Sequence, residues 1–349
     1  MKTVTIGKHQ VGSEHRPLIV AEMSGNHDGD LDRALAIVDA VAASGAQALK
    51  LQTYRADTMT VDVDHPRFQV GAGHDLWGGE SLYALYERAH TPWDWHEPIF
   101  ARAREHGLVA FSSPFDPTAV DFLESLDVPA YKIASCEIVD LPLIRYVART
   151  GKPLIVSTGM ASVGEIDAAV RTAREAGCEQ LVVLGCTASY PADPADTNLR
   201  ALPLIESMFD VPVGYSDHTM GIGVPVAAVA LGACLIEKHV TLDRAGGGVD
   251  AAFSAEPAEL SALVAETERA WQALGRPRIG ARPAEAEVLR LRRSLYVVAD
   301  VAAGESATER NVRSIRPAGG LSPDAIDAVI GRVFKADVPR GTPLTWDLF

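Results

Sequence analysis

VPVGYSDHTMGIGVPVAAVALGACLIEKHV, residues 211–240, holds one complete turn of the pattern that decides the fold. A short β-rich run, VPVGYSD from Val211, gives way to an Ala-rich stretch and then to a second run, CLIEKHV from Cys234. Each run leads to a histidine at its C-terminal end, His218 and His239. Short apolar runs separated by helix-forming segments are the signature of βα units on a parallel sheet.

Upstream the same alternation recurs as LIVAEM from Leu18, ALKLQTY from Ala48, LVAFSSP from Leu108, AYKIASC from Ala130, LIVSTGM from Leu154 and LVVLGCT from Leu181. With the two runs above this makes eight, the number that closes an α/β (βα)8 TIM barrel. A doubly wound open sheet uses the same units, but AEMSGNHDGD after the first run contains no GxGxxG. Helix boundaries are legible too. Asp30 is placed to cap DLDRALAIVDAVAASG and Gly45 to end it, and Ser162 with Glu165 has the spacing of a capping box.

The connection from about Thr58 to Pro98 is far longer than an ordinary βα loop and rich in aromatics. On a barrel it would lie at the C-terminal rim, either folded over the site or simply packed on the wall. Beyond Gly275 the pattern changes. The expected organisation is a catalytic barrel over 1–275, a basic connector over 276–292 and a small domain of short strands and Gly turns over 293–349.

Composition bounds the function. Apolar residues are 47% and charged residues 22% of 349, which describes a globular chain able to bury a large core. A net charge of -14 disfavours a nucleic-acid partner, since phosphate backbones are met by clustered Lys and Arg. The start MKTVTIGKHQVG is polar and alternating, and no stretch is long enough to span a bilayer, so a cytoplasmic location without membrane contact is expected. Cys136, Cys178, Cys186 and Cys234 have no zinc-type spacing and read as small buried hydrophobes.

Active sites of such barrels sit at the C-terminal ends of the strands, and here those ends are polar. They carry Glu22, followed by Asn26 and His27; Lys50 and Gln52; Ser112 and Ser113; Lys132, Ser135 and Glu137; Ser157 and Thr158; Thr187 and Tyr190; Ser216 and Asp217; and Glu237, Lys238 and His239. Residues two apart share a face, so Lys50 goes with Gln52 and Glu237 with His239, while Lys238 should point outward to the helices. Two lysines in a barrel mouth are costly unless anions meet them. Either Lys50 and Lys132 await a phosphate or carboxylate, or they pair only with Glu22 or Glu137. Ser113, Ser135, Ser157 and Gly159 would complete an anion cradle, with STGM leading into a helix N-terminus. His218 and His239, on adjacent strand ends beside Glu237 and Glu22, suit one shared divalent ion, Mn2+ first with Mg2+ or Co2+ as alternatives.

At these residues the chain resembles the sialic acid synthase family, and within it the pseudaminic acid synthase branch. The segments carrying the likeness run over essentially the whole chain: AEMSGNHDGDLDRAL, LKLQTYRADTMT, SLYALYERAHTPWDWH, FSSPFDPTAVDFLE, YKIASCEI, VSTGM, CTASYP, GYSDHTMGI, IEKHVTLDR and SIRPAGGLSP. The resemblance implies a TIM barrel followed by a small antifreeze-like domain of the SAF, β-clip type, in a domain-swapped homodimer. It implies a metal on His218 and His239, and phosphoenolpyruvate held by Lys50, Lys132, Ser113, Ser135 and Ser157, with Gly159 and Ser216 beside it. Glu22, Tyr190 and Asp250 would face the sugar, Gln52 and Glu137 would line the aldehyde region, and Arg316 would reach in from the partner subunit. The implied reaction joins C3 of phosphoenolpyruvate to a metal-polarised sugar aldehyde, water adding at C2 and phosphate leaving by C–O cleavage.

Two departures bear on the sugar. Ala188 stands where many sialic acid synthases place Asn, and Ala251 where they commonly place His. Together with GGGVDAAFSAEP and RGTPLTWDLF they resemble the pseudaminate branch, whose acceptor is a diacetamido-trideoxyhexose, 2,4-diacetamido-2,4,6-trideoxy-L-altrose, and whose apolar rim would include Ala251 and Phe253. N-acetylneuraminate or legionaminate synthesis from another N-acetylhexosamine is the nearest alternative. A barrel that only binds a sugar phosphate is the alternative of a different class.

Overall fold

The N-terminal hairpin, β1 (Val4–Ile6) against β2 (His9–Val11), precedes the barrel, and its buried faces fall on Val4, Ile6 and Val11. In the computed structural model, which describes residues 2–71 and 76–349, the chain divides into two compact units, Met1–Gly275 and Arg276–Phe349.

Among the described residues of the first unit, eight parallel strands close into a barrel. They are β3 (Leu18–Glu22), β4 (Ala48–Thr53), β5 (Val109–Pro114), β6 (Tyr131–Ile133), β7 (Leu154–Ser157), β8 (Leu181–Cys186), β9 (Val213–Asp217) and β10 (Leu235–His239), with β10 pairing back onto β3. The closing register sets His239 opposite Glu22, and Glu22 lies opposite Lys50 on the next strand.

The period of two sorts every strand into an inner and an outer set. Leu18, Val20, Ala48, Phe111, Ile155, Leu184 and Leu235 form one buried cluster together with Val4, Ile6 and Val11 of the hairpin, which identifies the hairpin as the plug of the barrel floor. Their outward neighbours Ile19, Leu49, Tyr131, Val156, Val183 and Ile236 join the larger cluster shared with the helices. Apolar residues therefore fill the lower barrel, and the polar residues fall on the same inner face one or two steps nearer the C-terminal end.

The helices begin and end where the sequence says. Asp30 accepts from the amides of Asp32 and Arg33 at the start of Leu31–Ser44, and Gly45 ends that helix at φ 83°, in the left-handed region where a Cβ would be strained. Ser162 and Glu165 form the reciprocal capping box of Val163–Glu175.

The long connection after β4 contains the short helices Ala56–Met59 and Leu82–Ala89; its residues 72–75 lie outside the described residues. It is tied to the barrel in several places. Trp93 stacks on Phe122 with ring centroids 4.6 Å apart, its Nε1 donates to the Tyr54 carbonyl at 3.2 Å, and Trp77 Nε1 donates to the Val249 carbonyl at 3.2 Å.

The second unit has its own core of Leu295, Val297, Val312, Phe334, Val338 and Leu344, built on the antiparallel pair β11 (Ser294–Val297) and β12 (Val312–Ile315). Its first residues, 276–292, carry two short helical turns, Pro283–Glu285 and Ala286–Leu289. Among the described residues no helix is long and apolar enough to cross a membrane.

Candidate active site

Inward-facing Glu22, Lys50 and Gln52 sit on β3 and β4, Ser113 on β5, Lys132 on β6, and Glu237 and His239 on β10. The two lysines are both nearly inaccessible, at 3% and 2% exposure. Lys50 Nζ lies 2.5 Å from Glu22 Oε2 and 3.7 Å from Glu237 Oε1, and donates to Ser113 Oγ at 3.3 Å. Among the described residues Lys132 pairs only with Glu237, at 3.5 Å. The unequal pairing separates their acidities. Burial by itself depresses both ammonium groups, but around Lys50 the carboxylates of Glu22 and Glu237 outweigh it and raise the pKa, whereas Lys132 stays below its usual value. Burial pushes the Glu237 carboxyl up, yet Lys132 and Lys50 together hold it below the carboxylate range.

Of the two readings open for these lysines, pairing with Glu137 does not occur. Glu237 takes that place, accepting also from Ser216 Oγ at 3.2 Å. Glu137 and Ser135 were expected on a strand, but β6 stops at Ile133, so Ser135 lies in the following loop and Glu137 in the 3-10 turn Cys136–Val139. The short strand follows from ASCEI, whose small and polar residues leave the pleat early. Tyr190 and Thr187 likewise lie past the end of β8. Ser135 Oγ accepts from the Gly159 amide at 3.1 Å. A Cβ on Gly159 would stand 2.8 Å from that same oxygen, so the approach requires glycine.

Among the described residues, several buried polar atoms here lack a hydrogen-bond partner: Ser157 Oγ, Glu137 Oε2 and Glu237 Oε2. Native interiors pair such atoms, and a group of them at one barrel mouth marks a place where a polar ligand completes the bonding. Burial also raises the Glu137 carboxyl above its ordinary pKa.

His218 and His239 come together as expected, ring centroids 5.3 Å apart. Thr187 fixes the first: its carbonyl lies 2.9 Å from His218 Nδ1, which leaves Nε2 as the nitrogen free for a metal. Burial, then the neighbouring His239, lowers His218 to about 3, so its ring is neutral and a competent ligand at neutral pH. The second has Asp250 Oδ2 3.4 Å from its Nδ1. Among the described residues no group of three or more His, Cys, Asp and Glu is arranged to hold a metal. Two neutral-type nitrogen donors, His218 Nε2 and the His239 ring, are nonetheless of the chemistry that a divalent ion takes, so the residues present fit such an ion by donor type.

Asp250 is held in place by partners far away in sequence. Ser24 Oγ donates to Asp250 Oδ2, and Asn26 Oδ1 accepts from the Asp250 amide at 3.1 Å. Gln52 Nε2 donates to both Glu22 Oε1, at 2.9 Å, and Ser24 Oγ, at 3.2 Å. Burial opposes ionisation of Asp250, but His239 and Ser24 keep its carboxyl below the usual range. Ser24 was not anticipated; its φ of 48°, rare for a residue with a Cβ, is the backbone cost of that geometry.

Above these groups opens a cavity of about 450 Å³ lined by Gln52, Ser135, Glu137, Ala188, Tyr190 and Asp250 together with side chains of the long connection. That connection thus packs on the wall and also lines the cavity. Two rim residues are corrected. Ala251 and Phe253 are each 2% exposed and are not part of the open rim. Phe253 instead packs under the imidazoles, 5.1 Å from His239 and 5.3 Å from Tyr190 by ring centroids. Lys238 points outward as expected, and takes Asp217 with it: the two pair at 2.5 Å. His27 is structural, its Nδ1 accepting from the Gly29 amide at 3.1 Å. Cys178 and Cys234 are buried as expected, but Cys136 is exposed and Cys186 is half-buried on the inner face, 3.8 Å from His218 Nδ1. Arg316 lies exposed in the second unit, just after β12.

Comparison with known proteins agrees with this architecture. Residues 37–278 match the family model described as the NeuB family, and residues 292–349 match that of the SAF domain. Pseudaminic acid synthase of Campylobacter jejuni is 40% identical over 341 residues, 96% of this chain and 98% of that protein. That of Helicobacter pylori is 39% identical over 333 residues, 95% and 97% of the two chains. Among solved structures, an N-acetylneuraminic acid synthetase from Leptospira borgpetersenii in complex with citrate superposes with a TM-score of 0.74 at 33% identity, covering 82% of this chain and 95% of that one.

Proposed function

The chain belongs to the NeuB family, carries a SAF domain after its barrel and is an enzyme of the transferase kind; from that premise we propose that it condenses phosphoenolpyruvate with 2,4-diacetamido-2,4,6-trideoxy-L-altrose and water, giving pseudaminate and phosphate. The observation that carries this reading is the under-compensated Lys132 with the unpartnered Ser157 Oγ, in a barrel mouth that also brings His218 and His239 together below a sugar-sized cavity. Near-complete alignment with pseudaminic acid synthases supports the choice of acceptor.

In this reading Lys132, Lys50, Ser113, Ser135, Ser157, Ser216 and the Gly159 amide hold the phosphate and carboxylate of phosphoenolpyruvate, and the anion completes the charge that Glu237 leaves unmatched at Lys132. Asp250, fixed by Ser24 and Asn26, and Tyr190 orient the sugar so that its aldehyde carbon meets C3 of phosphoenolpyruvate. A divalent ion on His218 and His239, Mn2+ first, supplies Lewis acidity to the aldehyde oxygen when bound. The new C–C bond forms as that oxygen takes a proton; water gives up a proton as its oxygen adds at C2, and the C2–O bond to phosphate then breaks. Glu137, raised in pKa by burial, and Gln52 line the space where these protons move. Arg316 serves the site of a partner subunit in a homodimer.

Phosphate release from phosphoenolpyruvate by the purified full chain tests the proposal. Turnover with the diacetamido-altrose, abolished by chelation and restored by Mn2+, is expected; preference for N-acetylmannosamine overturns the acceptor. His218→Ala should remove turnover while far-UV circular dichroism is unchanged, and full activity in that variant overturns the metal assignment.

A further inference from the structure

On β4 and β5 the outer face of the barrel wall is apolar until its last step. Leu49, Leu51 and Ala110 lie on it, all in the core shared with the helices. Thr53 and Ser112 then follow on that face, both fully buried, and so is His96, the first residue of helix His96–Glu105. Polar side chains in such a layer cost free energy unless they are bonded, and these three are bonded to one another. Thr53 Oγ1 lies 2.8 Å from His96 Nε2 and 2.6 Å from Ser112 Oγ, and His96 Nδ1 lies 3.2 Å from the Pro92 carbonyl.

The chemistry of these groups leaves one assignment of the protons. Burial lowers His96 to about 4, so its ring is neutral and holds a single N–H. A carbonyl oxygen only accepts, which puts that proton on Nδ1 and leaves Nε2 a bare lone pair. Thr53 therefore donates to His96 Nε2, and the Thr53 oxygen accepts from the Ser112 hydroxyl. The ring that sets this order is itself wedged, edge-on to Phe100 at 5.8 Å and to Phe122 at 5.3 Å by centroids.

This network sits where the two strands carry site residues. Gln52 precedes Thr53, Ser113 follows Ser112, and the two lie opposite each other in the ladder. Both strands end one residue later, with Thr53 opposite Pro114, which has no amide to bond with. The Thr53–Ser112 bond thus joins the strands where the backbone ladder runs out. Pro92 belongs to the foot of the long connection, so the same imidazole ties that foot to both strand ends.

We propose that His96 is a positioning residue: through Thr53 and Ser112 it sets the ends of β4 and β5, and with them the inward Gln52 and Ser113 side chains. This rests on the function proposed above, in which Ser113 and Lys50 hold phosphoenolpyruvate, and adds to it a residue that touches neither substrate. Ser113 Oγ accepts from Lys50 Nζ at 3.3 Å, so a shift of one strand end against the other disturbs both groups.

Calorimetric titration of the full-length chain with phosphoenolpyruvate, no acceptor being present, tests it. Thr53→Val keeps the shape of the side chain and removes its hydroxyl; His96→Phe keeps an aromatic ring and removes the accepting nitrogen. Each should weaken Kd about tenfold. His96→Gln, whose amide oxygen accepts from Thr53, should bring Kd back to within about threefold of wild type. Thr91→Val is the control for a general loss of packing. Thr91 Oγ1 lies 3.3 Å from His27 Nε2 in the same foot of the connection and has no hydroxyl bond to either strand, so this variant should lower the thermal midpoint and leave Kd unchanged. A Kd within about twofold of wild type in either folded Thr53→Val or folded His96→Phe overturns the inference. So does a Thr91→Val chain that loses as much affinity as Thr53→Val, or a His96→Gln chain as weak as His96→Phe. A wild type that does not bind phosphoenolpyruvate overturns the proposed function and this inference together; a wild type that binds it, with variants no different, overturns this inference alone.

Discussion

Where β9 and β10 end, the barrel wall presents a buried lysine and carboxylate on each of its faces, and the two sets are bonded differently. Outside, Lys238 Nζ meets Asp217 Oδ2 at 2.5 Å and donates to the Thr219 carbonyl at 2.7 Å, while Asp217 Oδ1 accepts from the Thr219 amide and hydroxyl. Every strong group there has a partner, and the pair closes on itself. Inside, one residue away along the same strand, Glu237 is shared by Lys50, Lys132 and Ser216 and still leaves Oε2 unmatched. Residue type and burial are the same on both faces. The difference lies in completeness: a structural pair satisfies itself, and a binding site keeps its last bonds for a ligand.

The largest expected effect attacks the inner set. Lys132→Met removes the cation with the weakest internal compensation, so kcat/KM for phosphate release should fall at least thousandfold, about 4 kcal/mol of transition-state binding. The thermal midpoint should fall less than for Lys238→Met, because Glu237 keeps Lys50 at 3.7 Å and Ser216 at 3.2 Å when Lys132 is gone. Activity within tenfold of wild type would show that Lys132 is as structural as Lys238.

The outer set should respond in the opposite sense. Lys238→Met leaves Asp217 buried and unpaired, a loss of about 3–5 kcal/mol in chemical denaturation, while kcat of the folded protein changes little. Lys238→Met with Asp217→Leu should regain most of that stability. If the single variant is as stable as wild type but inactive, the two faces do not differ as argued.

A smaller effect separates the cradle from the helix behind it. Gly159→Ala sets a Cβ 2.8 Å from Ser135 Oγ and 3.2 Å from Ala188 Cβ, so Ser135 must turn away. KM for phosphoenolpyruvate should rise about tenfold, roughly 1.4 kcal/mol, with kcat nearly unchanged. Gly164→Ala, in the first turn of the same helix and with nothing within 4 Å of the added carbon, should leave KM alone. Equal KM values for both variants would remove Gly159 from the cradle.

The inner and outer faces were largely legible in the sequence because a strand alternates with a period of two, which sends Lys50, Gln52, Glu237 and His239 inward and Lys238 outward. The partners were less so. Glu237 and not Glu137 balances the lysines because β6 ends at Ile133, a boundary that a run of small residues leaves open. Ser24 and Asn26, which seat Asp250, are separated from it by 226 and 224 residues, and no local pattern encodes a contact at that range. Ala251 and Phe253, read as an apolar rim, are buried for the same reason. An irregular segment has no period from which its inward face can be read.

The smallest effect belongs to a pair that is neither closed nor kept open but left to solvent. Asp39 binds Arg102 at 2.7 and 2.9 Å and His106 at 2.7 Å, on a surface where both Asp39 and Arg102 are 42% exposed. Arg102 chiefly, against a small burial penalty and with help from His106, lowers the Asp39 carboxyl from 3.8 to about 2. A carboxyl depressed on folding stabilises the protein above its unfolded value, near pH 4, and loses that contribution as the pH falls through about 2. Solvent screens most of it, so Asp39→Asn should cost no more than about 1 kcal/mol at neutral pH and low salt, and less at 1 M salt. The gap between wild type and variant should shrink further in denaturation curves taken between pH 4 and pH 2. A loss as large as that of Lys238→Met would mean that geometry alone, without burial, sets the strength of a charged pair here, and the contrast between the two faces of the barrel would then need another cause.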